Sequence, residues 1–136
     1  MIYTNIEDVL YINRGVTDGR GTTLYKDGGD KIDAAIGRMQ TSYGGRELFP
    51  SLYEKASALI HSIVTTHPFE DGNKRTGLIT GLQFLYDNGL SYKHDVSDEE
   101  LANKVIDLAA NRISQKELAD WIKERFERHV FENTSE

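Results

Sequence analysis

Nine residues, from His67 to Arg75, constrain the fold of this chain more than any other stretch. They read His-Pro-Phe-Glu-Asp-Gly-Asn-Lys-Arg and lie between two long segments whose apolar residues recur at helical spacing. Pro68 disfavours helical geometry at the preceding residue, so the first of these helices must end near Thr66. The stretch therefore predicts a helix–loop–helix with a histidine, a carboxylate and two cations gathered at the loop.

Periodic apolar segments and capping residues predict the other helices. Asn88 and Gly89 supply a stop for the helix that follows the nonapeptide. Ser114, with Glu117 three residues later, is typical of a capping box that starts the last helix, which we expect to run through Phe126. In chain order, the predicted N-cap residues are Asn5 or Thr4, Asp30, Ser51, Asn73, Ser97 and Ser114.

Two segments lack helical periodicity. The glycine-rich stretch from Gly15 to Gly29 predicts a long loop, and the turn residues within Thr41 to Phe49 predict a short hairpin or an extended flap. The fold class is therefore all-α, a compact bundle of about six helices with a β-hairpin or flap before the motif helix. We expect a single domain over residues 1–130 and a frayed tail over 131–136.

Composition narrows the functional classes. The hydrophobic content of 38% and charged content of 28% suit a soluble globular domain. The absence of cysteine excludes disulfides and thiolate metal sites, and agrees with a cytoplasmic protein. The net charge of −6 argues against direct binding of nucleic acid, and no apolar run approaches the length of a membrane span.

Within the nonapeptide, residue types suggest chemical roles. His67, at the mouth of the loop, can take a proton from a hydroxyl, although a histidine can also simply complete a helix dipole. Asp71 is the candidate ligand for Mg²⁺, which prefers one or two carboxylates together with phosphate oxygens; it can equally help to form a turn with Gly72. Phe69 is predicted to anchor the loop by packing inward, and Glu70 to face solvent.

The other motif residues suggest an anion site. Gly72 allows the backbone to approach a ligand closely, and Asn73 is predicted to cap the second helix and to reach phosphate with its side chain. Lys74 and Arg75 are cations at a helix N-terminus, where the dipole disfavours positive charge unless an anion offsets it. An ordinary surface role remains the alternative for Arg75.

This arrangement resembles the signature of the Fic/Doc family, His-x-Phe-x-(Asp/Glu)-(Ala/Gly)-Asn-(Gly/Lys)-Arg. The run from Ser51 to Gly89 is similar to the death-on-curing (Doc) branch. The resemblance implies the compact helical fold of the family, with His67 as general base and Asp71 as Mg²⁺ ligand. It implies that the ATP phosphates bind at Gly72, Asn73, Lys74 and Arg75. It also implies a flap that docks the target by strand addition, comprising Thr41, Ser42, Tyr43, Gly44, Gly45 and Arg46.

One position divides the family by activity. Relatives that transfer AMP to a protein hydroxyl usually carry glycine where this chain has Lys74, and a second arginine where it has Leu78. The Doc branch carries the lysine, which turns the nucleotide around so that the γ-phosphate is transferred to a Ser or Thr hydroxyl. Both positions favour a kinase. Gly72 is commoner in the AMP-transferring relatives, so AMP transfer stays open as the alternative.

The resemblance also implies partners. In the Doc branch the phosphorylated protein is elongation factor Tu, and its modification halts translation. The chain has no convincing (Ser/Thr)-x-x-x-Glu-(Gly/Asn) inhibitory segment, which indicates inhibition by a separate antitoxin. A third reading is a non-catalytic helical binding module that keeps the motif as architecture. Labelled ATP distinguishes the first two readings, and substitution of His67 tests the third.

Overall fold

The computed structural model describes residues 1–19 and 23–129, and the predicted all-α fold with a short hairpin is confirmed. None of the helices in this part of the chain combines the length and apolar character of a membrane span. The helices are α1 (Ile6–Val16), α2 (Gly28–Arg38), α3 (Leu52–Thr66), α4 (Asn73–Asp87), α5 (Asp98–Ala109) and α6 (Gln115–Arg125). The strands are β1 (Ser42–Tyr43), β2 (Arg46–Glu47), β3 (Leu90–Tyr92) and β4 (Phe126–Arg128). The predicted tail 131–136 lies outside the described residues.

Four of the predicted N-caps are confirmed. Each of these side chains accepts a hydrogen bond from the backbone N–H three residues later, which satisfies one of the helix's unpaired donors. Asn5 and Ser114 also complete capping boxes, with Asp8 and Glu117 respectively. The confirmed caps are Asn5 on α1, Ser51 on α3, Ser97 on α5 and Ser114 on α6.

The long loop predicted from Gly15 to Gly29 is shorter than expected. Helix α1 continues to Val16, and α2 already begins at Gly28, with Asp27 rather than Asp30 at the cap position. Gly28 is buried, and a Cβ atom there would collide with the carbonyl oxygen of Pro68. Close packing against the motif loop therefore holds the start of α2, and this tertiary contact is not visible in local sequence.

The last helix also ends one residue earlier than predicted. Phe126 leaves the helix with extended backbone and begins β4, which pairs antiparallel with β3. This sheet joins residues 90–92 to residues 126–128, and the side chain of Phe126 is buried in the core. Such a pairing between distant segments leaves no short-range signal in the sequence.

Helix α3 is the centre of the bundle. It packs against α2, α4, α5 and α6, and its side chains from Lys55 to Ile60 are all buried. A helix that is buried around its whole circumference belongs to the interior of a domain. The motif loop thus leaves the most deeply buried helix of the protein, which gives it a rigid base.

Helices α3 and α4, which flank the motif, approach each other closely. Gly77 on α4 makes this possible, because a Cβ atom at that position would lie 2.7 Å from Cγ1 of Val64 and 3.5 Å from the carbonyl oxygen of Ile60. Protein interiors have little spare volume to absorb such an overlap. The spacing of the two helices, and with it the span of the motif loop, is therefore set by a small residue.

The predicted flap is a two-stranded hairpin. In β1 and β2, Ser42 pairs with Glu47 and Tyr43 pairs with Arg46, around a turn in which Gly44 and Gly45 both have positive φ. Residues 42–48 are exposed. A hairpin of this size presents unpaired backbone groups along its outer edges, which can pair with another chain.

Candidate active site

The motif loop lines a cleft of about 520 Å³ between the start of α4 and the side of α5. This volume falls within the range of about 300–1,000 Å³ that is common for small-molecule sites. One part of the wall is charged and polar, and another part is apolar. The lining residues are His67, Glu70, Asp71, Gly72, Asn73, Lys74, Arg75, Leu78, Ala102, Val105 and Ile106.

His67 stands at the junction of α3 and the loop. The helix ends at Thr66, as Pro68 predicts, and His67 takes the left-handed conformation with φ 52° and ψ 66°. This conformation is uncommon for residues other than glycine, and it turns the chain sharply away from the helix axis. The imidazole is consequently exposed at the wall of the cleft, where it can reach a bound hydroxyl.

Backbone pairing holds the loop beyond His67. The N–H of Tyr25 donates to the carbonyl of Pro68 at 3.0 Å, and the N–H of Glu70 donates to the carbonyl of Thr23 at 3.0 Å. Between them, Phe69 is 2% exposed and packs into the core, as predicted, while Glu70 faces solvent. Residues 23–25 therefore form an isolated antiparallel bridge with the motif loop, which aligns it.

Asn73 has a different role from the predicted one. The residue at the cap position of α4 is Gly72, and Asn73 is the first residue of the helix. Its buried side chain accepts from the N–H of Phe69 at 3.0 Å and donates to the carbonyl of Phe69 at 2.8 Å. These two bonds close the loop on itself, so the amide fixes the shape of the site, while a contact between Asn73 and phosphate stays a prediction.

Glycine at position 72 suits both the backbone conformation and the close packing against α1. It has φ +77°, and a Cβ atom there would lie 3.2 Å from Nδ2 of Asn13 and 3.3 Å from side-chain carbons of Val16 and Thr17. Asn13 in turn donates from Nδ2 to the carbonyl of Asp71 at 3.1 Å. Gly72 is thus packed closely against the end of α1, which supports the loop, while its predicted close approach to a ligand stays a prediction.

The N-terminus of α4 is open to the cleft. The first hydrogen bond of this helix runs from the N–H of Thr76 to the carbonyl of Gly72 at 2.8 Å, so the N–H groups of residues 73–75 have no helical acceptor. No carboxylate in the described part of the chain forms an ion pair with the exposed Lys74. Uncompensated N–H groups and a cation together make an electropositive site for an anion.

Arg75 is placed differently from Lys74. Its Nη1 donates to the carbonyl of Val16 at 3.4 Å, at the C-terminal end of α1, where the helix dipole favours a cation. The dipole of α1 therefore accounts for part of the placement of Arg75. Arg75 also lines the cleft, so its guanidinium lies between the C-terminal end of α1 and the cleft.

Asp71 and Glu70 are the carboxylates of the cleft. No group of three or more His, Asp or Glu residues converges anywhere in residues 1–19 and 23–129. A divalent cation at Asp71 would accordingly need further oxygen ligands from a bound molecule. The donor set fits Mg²⁺ carried in by a polyphosphate, since Mg²⁺ commonly takes one or two carboxylates plus phosphate oxygens.

The other three histidines, His61, His94 and His129, lie outside the cleft. His61 is half-buried on α3, and burial together with the neighbouring Arg38 lowers the pKa of its imidazole. His94 is exposed in the segment between β3 and α5. His129 contacts Ser91 through Nδ1 at 2.7 Å and stacks on Tyr86, so His67 is the histidine that lines the cleft.

Sequence reasoning did not identify two parts of the site. Asn13 supports the loop from α1, 58 residues earlier in the chain, and nothing in its local pattern indicates this. Helix α5 supplies an apolar wall of Ala102, Val105 and Ile106. Ile106 is 43% exposed, and an exposed large apolar residue on an amphipathic helix is the one signal that could have suggested it.

Comparison with known proteins agrees with this geometry. The Fic/DOC family matches residues 3–85. The chain is 36% identical over 106 residues to a protein named Toxin Doc from Mycolicibacterium smegmatis, covering 76% of this chain and 79% of that protein. It is 31% identical over 93 residues to Protein kinase doc of Escherichia phage P1, covering 68% of this chain and 71% of that protein. The chain belongs to the Fic/Doc family, in its Doc branch.

Proposed function

We propose that the cleft binds ATP with Mg²⁺ and transfers the γ-phosphoryl group to a Ser or Thr hydroxyl of a protein. The observation that carries this proposal is the meeting of three features in one cleft: an exposed histidine, a carboxylate and the open N-terminus of α4 with Lys74 beside it. A histidine next to an electropositive anion site suits proton removal during phosphoryl transfer.

The two halves of the cleft match the two halves of a nucleotide. Phosphates would occupy the charged half, against Lys74, Arg75 and the N–H groups at the start of α4. The nucleoside would rest on the apolar half, formed by Leu78 with Val105 and Ile106. Small-molecule sites commonly combine an apolar wall with a few convergent polar groups in this way.

The chemical step needs little from the protein besides position and charge. His67 accepts the proton of the target hydroxyl as its oxygen bonds to the γ-phosphorus. The bond from the γ-phosphorus to the bridging oxygen breaks, and ADP leaves with that oxygen. Lys74 and the helix N-terminus stabilise the charge on the transferred group. Mg²⁺, when bound at Asp71, would neutralise phosphate charge.

Kinase chemistry is favoured over AMP transfer at two positions. Lys74 stands where AMP-transferring relatives usually have glycine, and Leu78 stands where they usually have a second arginine. Leu78 belongs to the apolar wall with α5, a surface poorly suited to the charged end of a triphosphate. The relative named Protein kinase doc points the same way.

Gly72 was the position that favoured AMP transfer. A Cβ atom there would face Asn13, Val16 and Thr17 of the α1 region. The choice of glycine is thereby explained by support from behind the loop and carries little information about the nucleotide. AMP transfer nevertheless uses the same residues, and it is the second candidate.

For the biological role, we propose a toxin that is restrained by a separate antitoxin, in line with the relative named Toxin Doc. The target proposed from the family resemblance is elongation factor Tu. The exposed hairpin over residues 41–46 would receive an extended segment of that target by strand addition.

Parallel labelling tests the proposal. The purified protein is incubated with Mg²⁺ and elongation factor Tu, and separately with cell extract, using ATP labelled at either the α- or the γ-position. We expect a protein band labelled from the γ-position alone, and lost in a His67→Ala variant. Label from the α-position would instead establish AMP transfer, and label that persists in the variant would exclude His67 as the base.

A further inference from the structure

Lys55 is a buried cation to which the proposed reaction assigns no role. It lies on α3 and is 0% exposed. Its ammonium group donates to Oε1 of Glu47 at 2.9 Å, to the carbonyl of Phe49 at 2.6 Å and to the carbonyl of Met39 at 3.5 Å. The desolvation of a buried ion is costly, and such a residue is tolerated only when several groups compensate its charge.

The three acceptors flank or belong to the flap over residues 41–49. Met39 precedes the hairpin, whereas Glu47 is in β2 and Phe49 ends the segment. A single ammonium group therefore ties both ends of the flap to the central helix. Buried ion pairs often add little net stability compared with apolar side chains of similar volume, and their contribution then lies in the geometry that they impose.

The strand register shows what that geometry controls. Ser42 pairs with Glu47, and Tyr43 pairs with Arg46, so the two pairs project from opposite faces of the hairpin. Because Glu47 reaches inward to Lys55, the face that carries Tyr43 and Arg46 points away from the body of the protein. Tyr43 is accordingly 72% exposed.

A second contact secures the same base. The guanidinium of Arg38 lies 5.0 Å from the ring centroid of Phe49, and its Nη1 donates to the carbonyl of Ala58 and to Oγ of Ser62, both at 3.4 Å. At the tip, by contrast, a Cβ atom added at Gly44 or Gly45 would meet nothing within 4 Å. The base of the flap is thus held by two cations, while its tip stands clear of the body.

We infer that Lys55 is a positioning residue, whose ion pair with Glu47 sets the orientation of the flap and thereby the affinity for the protein target. The inference rests on the proposed function, because it assumes that the flap receives the target. The pair touches neither His67 nor the residues that line the cleft. Its loss should weaken use of the protein substrate without altering use of ATP.

Glu47→Gln is the direct test. Glu47 is 50% exposed, so the variant removes the charge without leaving a cavity. The matched control is Asp107→Asn, which removes the exposed ion pair between Asp107 and Arg112 at the end of α5. Glu47→Asp keeps the charge on a shorter side chain. It should therefore retain part of the wild-type positioning of the flap.

Two readouts separate positioning from general damage. Amide hydrogen exchange over residues 41–49 should quicken about tenfold in Glu47→Gln, the equivalent of one lost charged hydrogen bond. With elongation factor Tu as the substrate, its KM should rise about tenfold while kcat and the KM for ATP stay within about twofold. Asp107→Asn should leave all of these unchanged.

The outcomes distinguish this inference from the proposed function. Unchanged exchange over residues 41–49 in a folded Glu47→Gln protein would overturn the positioning role of the Lys55–Glu47 pair, as would equal increases in both KM values. A wild-type protein that labels no substrate would overturn the proposed function instead. Hydrogen exchange alone would then decide whether the Lys55–Glu47 pair positions the flap.

Discussion

The motif loop over residues 67–75 and the flap over residues 41–49 are both irregular segments beside α3, yet they are held in opposite ways. The motif loop is supported along its length, by backbone pairing with residues 23–25, by Asn13 and by the internal bonds of Asn73. The flap is held at its base by Lys55 and Arg38, and its strands are exposed. Chemistry requires a fixed geometry, whereas strand addition requires an open edge.

The largest effect is expected at the chemical centre of the motif loop. His67→Ala should lower the rate of phosphoryl transfer by about 100- to 10,000-fold, because the proton of the hydroxyl loses its acceptor. The side chain is exposed, so thermal unfolding should be unchanged. His94→Ala, at another exposed histidine, is the control. Equal activity in the two variants would show that His67 is not the base in the reaction.

The support of the motif loop can be broken at Asn73. Asn73→Ala should lower the free energy of unfolding by about 1–3 kcal/mol for each backbone group of Phe69 that is left unsatisfied. Chemical denaturation measures this, with Asn103→Ala as the exposed control on α5. Since the site loses its shape, activity should fall as well. A loss no larger than that of the control would mean that the loop does not depend on this amide.

A matched pair of glycine substitutions compares the two regions directly. Gly72 and Gly44 both have positive φ, but a Cβ atom at Gly72 would meet α1 whereas one at Gly44 would meet nothing within 4 Å. Each Ala substitution should cost about 1–2 kcal/mol for the backbone conformation. Gly72→Ala should cost about 1 kcal/mol more, for overpacking. Equal losses of unfolding free energy would contradict the close support of the motif loop by α1.

The smallest effect concerns the apolar wall of α5, which belongs to neither segment and is proposed to hold the nucleoside. Ile106→Asp should raise the KM for ATP about tenfold and leave the KM for the protein substrate unchanged. Ile79→Asp is the control, because Ile79 has similar exposure (39% against 43%) but lies outside the cleft. Steady-state kinetics with each substrate varied in turn will separate the two sites. A similar change of the KM for ATP in both variants would show that the nucleoside does not bind against Ile106.

Local sequence signals predicted most of the architecture. The caps at Ser51, Ser97 and Ser114 act through bonds to residues three positions away, and are therefore readable from short stretches. Pro68 likewise predicted the end of α3 through a steric effect on its neighbour. The hairpin was indicated by Gly44 and Gly45 between strand-forming residues.

The errors occur where distant segments meet. Asn73 carries the signature of a cap, but its amide is used by Phe69 across the loop. Helix α2 begins at Gly28, earlier than predicted, where Gly28 packs against the carbonyl oxygen of Pro68. Phe126 is not part of α6, because it pairs with Tyr92 in the β3–β4 sheet. In each case a contact between segments far apart in sequence outweighs the local preference, and one sequence alone does not contain that information.

Hydrogen exchange with ligands added in turn tests the central claim most directly. ATP with Mg²⁺ should protect the amides of residues 72–75 at the start of α4 and leave residues 41–48 unchanged. Subsequent addition of elongation factor Tu should protect residues 41–48. Protection of the flap by ATP alone, or no protection at residues 72–75, would contradict the proposed division between a rigid loop that binds phosphate and an open flap that docks the target.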